Sequence, residues 1–241
     1  MVTLALDTST ARGSVAVRRD GATIVARAGD EHRPHATRLP GDLFDALADC
    51  GATLDDVSVL AVGLGPGAFT GLRVGLATVQ GLAFARNLPV VGVSALDAIA
   101  SAAAIDDAKD VAVWLDGARQ EVFAAQYRRD PSVLFGVEAL GDPIAAPPDA
   151  VLIEWVARGW RAPTVWVGEG ATVYRDVILR HSPGAIVKTV DTPRAELVAA
   201  LGERAFAAGL AGAPHALRPV YVRRPDAELA RDRAASVPGH V

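Results

Sequence analysis

The sequence predicts an α/β fold, and three observations carry that reading. Hydrophobic residues make up 51% of the 241 and charged residues 22%, the balance of a globular chain. The apolar content is mostly Ala and Val, with aromatics at 5%, which suits Val-rich strands beneath Ala-rich helices. Short apolar runs alternate with longer stretches of helical spacing, the pattern of strands joined by helices.

Val2–Leu6 is a continuous apolar run ending at Asp7-Thr8-Ser9, as in a buried strand that delivers polar groups at its carboxyl end. Gly13–Val17 alternates and reads as a second strand, and a turn at Arg19-Asp20-Gly21 leads to a third, Ala22–Arg27. A helix follows over His35–Cys50, with Leu39, Leu43, Phe44 and Leu47 at helical spacing and Gly51 as its stop. Val57–Gly63 is a strand, Thr70–Arg86 a helix and Pro89–Val93 a strand, and Ser94 caps a helix over Ala95–Ala104. Three strands, helix, strand, helix, strand, helix is the order of one lobe of the actin/Hsp70 (ASKHA) fold, although other α/β folds share parts of it.

The pattern restarts after Ile105-Asp106-Asp107. Val111–Leu115, Glu121–Tyr127, Phe135–Leu140 and Thr164–Val167 read as strands; Pro147–Gly159, Thr172–Arg180 and Arg194–Gly209 read as helices. The expected division is an N-terminal lobe over 1–106, a C-terminal lobe over 107–222 and a charged tail over 223–241 that forms a short, frayed helix.

A net charge of −4 argues against broad non-specific binding of nucleic acid by this chain alone. The single cysteine, Cys50, excludes an internal disulfide and any Cys-based zinc cluster, and reads as a small filler at a helix end. MVTLALDTST lacks a basic n-region and reads as a strand rather than a signal peptide. No apolar run approaches the ~20 residues of a membrane span, so a cytoplasmic protein without membrane contact is expected.

Two segments invite a nucleotide reading. Asp7-Thr8-Ser9 at a strand end suits a phosphate or metal-bound water, but these are also common turn formers. GLGPGAFTGLRVG, residues 63–75, puts glycines between a strand and a helix, yet has neither the lysine of a Walker loop nor the third glycine of a dinucleotide fingerprint. Thr70 is expected to cap the helix behind it, where free amides and the dipole favour an anion. Gly65 and Gly67 in that loop, with Gly168 and Gly170 in VWVGEGA, complete a weak, vestigial nucleotide site.

The helix itself carries Gly71, Gly75, Thr78 and Gly81. Glycine inside a helix costs roughly 1 kcal/mol relative to alanine, so close approach to a neighbour is expected, either within the chain or in another subunit. His32 and His35 are separated by Pro34 and lack a third ligand, so no metal site is expected. His181, His215 and His240 read as surface or loop residues, and Asp116, Arg119 and Glu121 as a solvated turn with an internal ion pair. No Ser-His-Asp or Cys-His set stands out.

In order, DTSTARGSVAV, HATRLP, GLGPGAFTGLRVGLATVQGLA, PVVGVSALDA, LDGARQEVFAAQY and RPVYVR resemble the TsaB (YeaZ) family. The resemblance is strong over about residues 1 to 127 and thins beyond, where VGEG and PVYVR are the anchors. It implies a two-lobed actin-like fold and a non-catalytic part in making threonylcarbamoyladenosine beside the anticodon of bacterial tRNAs. The implied partners are a TsaD-like catalytic paralogue and a TsaE-like ATPase, with tRNA reached indirectly through the complex and a homodimer when the chain is alone. No cofactor of its own is implied; ATP or ADP at the subunit interface of the complex stays open.

The family pairs through the helices matching His35–Cys50 and Thr70–Arg86, so the resemblance places the partner interface at His35, Leu39, Leu43, Leu72, Gly75 and Val79 and gives the glycines a subunit contact to serve. The catalytic paralogue has a metal-binding His-x-x-x-His pair; here His35 is followed four residues on by Leu39. The rival readings are an ATP-dependent kinase or phosphotransferase of the same fold, with Asp7 as its acid, and a protease, which lacks a metal or nucleophile.

Overall fold

The computed structural model describes residues 1–103, 110–159 and 165–223. Two sheets share one plan. In the first, β1 (Val2–Asp7) pairs antiparallel with β2 (Ser14–Arg19), which pairs antiparallel with β3 (Ala22–Ala28); on its other side run the parallel strands β4 (Val57–Gly63) and β5 (Val90–Val93). In the second, β6 (Asp110–Asp116) pairs antiparallel with β7 (Val122–Arg129), followed by β8 (Val137–Ala139), while β9 (Ile144–Ala146) also pairs with β7. The parallel strands β10 (Val165–Val167) and β11 (Ile186–Lys188) flank β6 on the other side. This repeated plan is the two-lobed actin-like fold that the element order suggests.

The sheets are covered on both faces, which is why β1 and β4 are apolar almost throughout. Helices α1 (His35–Asp49) and α2 (Phe69–Arg86) lie on the outer face of the first sheet, where Leu39, Leu43, Leu47, Leu76 and Val79 pack on Leu4, Leu6 and Leu60. Between the sheets lie α3 (Ala95–Ala103) and α7 (Arg194–Ala207). The outer face of the second sheet is closed by α4 (Pro148–Ala157), α5 (Glu169–Val173) and α6 (Arg175–His181), around the buried rings of Trp114, Trp155 and Trp166.

Although α7 follows the second sheet in sequence, it packs on the first. Val198, Ala199 and Leu201 share a cluster with Ala5, Val59 and Ala61, and a Cβ on Gly202 would stand 2.5 Å from that of Ala61. Small side chains on both surfaces bring helix and sheet into close contact.

Several local expectations need correction. The helix expected over Thr172–Arg180 is two, α5 and α6, separated at Tyr174. β9 and β11 are three residues each, too short to leave a period, and the strand expected at Phe135–Leu140 shrinks to β8. Thr70 does not cap α2: the helix opens at Phe69 after Ala68, whose amide is taken by the Ser9 carbonyl at 2.8 Å. Gly51 does stop α1, with φ +65° and paired bonds from Gly51 to Ala48 and from Ala52 to Leu47. The expected boundary at 106/107, Ala104, Thr164, His240 and the tail after Arg223 lie outside the described residues.

Candidate functional site

The strand ends meet in a cleft of about 570 Å³ between the two sheets. Its first wall is Ser9, Thr10 and the Pro66–Phe69 loop; its second is Asp116–Arg119 and Glu169; Arg194 and the Val220–Arg223 segment join them. Of the expected nucleotide residues, Ser9 and Gly67 line this cleft together, beside Arg194, which the sequence does not single out; the other expected residues lie outside its lining.

Asp7 is fully buried. Its Oδ1 accepts from the Ser9 amide at 3.1 Å and from the Ser9 hydroxyl at 2.5 Å, while Oδ2 is packed against Gly63 without a hydrogen-bond partner among the described residues. Thr8 is also buried, under α2. The glycines are packing residues. A Cβ on Gly65 would stand 2.7 Å from Leu72 Cδ1, one on Gly67 2.5 Å from Ser9 Cβ, and one on Gly170 2.7 Å from the Leu115 carbonyl carbon. Gly168, at φ +105°, turns β10 into α5 against the Trp114 carbonyl.

A guanidinium crosses the cleft. Arg194 Nη1 donates to Ser9 Oγ at 2.7 Å, and Nη2 pairs with Glu169. Glu121 pairs with Arg223, whose guanidinium sits 5.3 Å from the Phe123 ring. These groups do not fit the nucleotide that the fold class implies: the Asp7 carboxylate that would order a metal-bound water is buried and bonded to Ser9, and the Arg194 guanidinium joins Ser9 to Glu169. The Asp116 turn is a hairpin bend, as expected, with Asp116 Oδ1 accepting from the Ala118 amide at 2.9 Å.

At the start of α1, the His35 Nε2 proton is donated to the Thr10 carbonyl at 3.0 Å, and Nδ1 accepts from Arg38 Nη2 at 2.9 Å. That pairing fits a neutral imidazole with both nitrogens occupied. Arg38, itself buried, also pairs with Asp42 and donates to the Arg12 carbonyl. His32 is exposed, and no group of three or more His, Cys, Asp or Glu side chains among the described residues is placed to hold a metal.

The helix pair presents a different surface from the one expected. Leu39, Leu43, Leu72, Gly75 and Val79 point inward and are buried, and His35 is half-buried. Gly71 and Gly75 give their close approach to β1: a Cβ on either would strike Thr8, and one on Gly75 would also stand 3.1 Å from Leu6. The outward stripe of α1 is instead Pro40, Gly41, Phe44 and Ala48, and that of α2 is Arg73, Ala77, Gly81 and Phe84. Phe44 is 50% exposed and Phe84 89%. The spacing of the buried leucines located both helices, and its complement, the exposed small and aromatic residues, was the signal for this face. At the amino end of α2, Tyr221 packs on Phe69 at 5.1 Å and the Arg73 Nε donates to its hydroxyl at 3.2 Å.

A sequence model described as "TsaD: tRNA N6-adenosine threonylcarbamoyltransferase" matches residues 29–238. The Escherichia coli protein named tRNA threonylcarbamoyladenosine biosynthesis protein TsaB is 34% identical over 228 residues, covering 91% of this chain and 94% of that one. Its Bacillus subtilis namesake is 25% identical, covering 95% and 96%. The solved structure of YeaZ from Pseudomonas aeruginosa superposes with a TM-score of 0.72 at 31% identity, covering 91% of this chain and 99% of that one.

Proposed function

The chain belongs to the TsaB (YeaZ) family, and from that membership we propose that it acts in tRNA threonylcarbamoyladenosine biosynthesis as a non-catalytic scaffold for a TsaD-like catalytic partner. The observation that carries this reading is the outward face of α1 and α2, where Phe44 and Phe84 stand exposed among Pro40, Gly41, Ala48, Ala77 and Gly81. Small residues around aromatic anchors let a second helix pair approach closely, and a core of this composition is typical of subunit interfaces. A homodimer forms through the same face when the partner is absent, and a TsaE-like ATPase joins the pair. The tRNA is met through the complex.

Two features support the absence of catalysis. Leu39, in the core, stands where the resemblance places the second metal-binding histidine of the paralogue, and both ring nitrogens of His35 are spent on Thr10 and Arg38. Reconstitution tests the reading. The TsaD-like protein from the same organism, its ATPase partner and a threonylcarbamoyl donor should modify tRNA only when this chain is added, and the chain alone should modify none. Full modification without it would refute the proposal.

A further inference from the structure

We infer that the two walls of the cleft are tied together by a built-in guanidinium bridge, centred on Arg194, which a polyphosphate would have to displace. The inference rests on the cleft geometry and is independent of the scaffold role proposed above.

Arg194 opens α7, which packs on β1, β2 and β4, so its backbone belongs to the first sheet. Its side chain runs to the second. One nitrogen donates to Ser9 Oγ, whose own proton goes to buried Asp7; another pairs with Glu169 at the start of α5. Glu169 Oε1 also accepts from the Asp116 amide at 3.4 Å, at the end of β6. A continuous polar chain, Asp7–Ser9–Arg194–Glu169–Asp116, therefore crosses the cleft floor from the end of β1 to the end of β6. The Arg194 side chain is 13% exposed, so its pairing with Glu169 is shielded from solvent on one side.

A phosphate chain entering here would have to draw Arg194 away from Glu169 and leave that carboxylate facing the incoming anion. It would also lose the Ala68 amide of the loop, which already donates to the Ser9 carbonyl at 2.8 Å. At the mouth a second tie repeats the device: Arg223 pairs with Glu121, and Val220 donates to the Leu64 carbonyl at 2.8 Å. Glu169, which lines the cleft, and Glu121 beside Arg223 thus each already hold an arginine.

The test compares the full chain with Arg194→Gln, Glu169→Ala and the double variant by hydrogen exchange, together with thermal melts in millimolar Mg-ATP and Mg-ADP. Each single variant should speed exchange about tenfold at the amides of Ser9–Gly13 and Glu169–Val173, and the double variant no further, as expected for two ends of one bridge. Neither nucleotide should move the wild-type Tm by more than about 1 °C. Unchanged exchange in the single variants, additive effects in the double, or a nucleotide-raised Tm would each overturn the inference. Because Glu169 is half-exposed, its variant carries the test even where Arg194→Gln does not fold.

Discussion

Gly75 lies directly over Thr8: a Cβ on the glycine would strike the threonine hydroxyl, which has no hydrogen-bond partner among the described residues. The glycine run of α2 therefore seats the helix on the end of β1, and its first two glycines serve the fold before they serve any partner. Gly81 is different, exposed and with open space around its Cα. Gly75→Ala should lower stability in urea by about 1–3 kcal/mol, because the strand end cannot yield to it. Gly81→Ala should raise stability by roughly 0.5–1 kcal/mol, the helix-propensity gain alone.

The buried Arg38 ties the start of α1 to the loop after β1 through Arg12, His35 and Asp42. Arg38→Leu should cost about 1.5–3 kcal/mol, the loss of charge-assisted hydrogen bonds, since half-buried Asp42 can turn to water. Urea melts of the two proteins measure the difference, and a change under about 0.5 kcal/mol would show that the loop is held by other contacts.

Tyr127 of the second sheet donates to Asp97 of α3 at 2.7 Å. Burial raises the Asp97 carboxyl above its ordinary 3.8, partly offset by that hydrogen bond. Because the folded chain holds this proton more tightly than the unfolded one, the contribution of Asp97 to stability is greatest in acid. It declines as pH climbs from about 3.8 through the folded value, and is flat above. Asp97→Asn keeps an acceptor for Tyr127 and removes the titration. Its stability relative to wild type should rise with pH over that window; a difference independent of pH would contradict the assignment.

Legibility followed length and locality. The helices α1 and α2 were readable because their leucines repeat at helical spacing, and strands β1 and β4 because each is an unbroken apolar run bounded by polar or glycine residues. The three-residue strands β9 and β11 repeat nothing. The sequence flagged the glycines of α2 as needing a close neighbour, but spacing does not say whether that neighbour is Thr8 or another subunit. The leucine spacing that located the helices marks the side buried in the fold, so Leu39, Leu43, Leu72 and Val79, expected at a partner surface, are core residues of the free chain. Arg194 carried no local signal at all; its partners are 185 and 25 residues away in sequence.

The central claim, that the outward face of α1 and α2 is the partner surface, is tested most directly by Phe84→Glu. Phe84 is 89% exposed, so the free chain should fold and melt as the wild type does. Its affinity for the TsaD-like partner, measured by titration calorimetry, should fall about 30-fold or more, the loss of an aromatic anchor of about 2 kcal/mol. Wild-type affinity in this variant would contradict the claim.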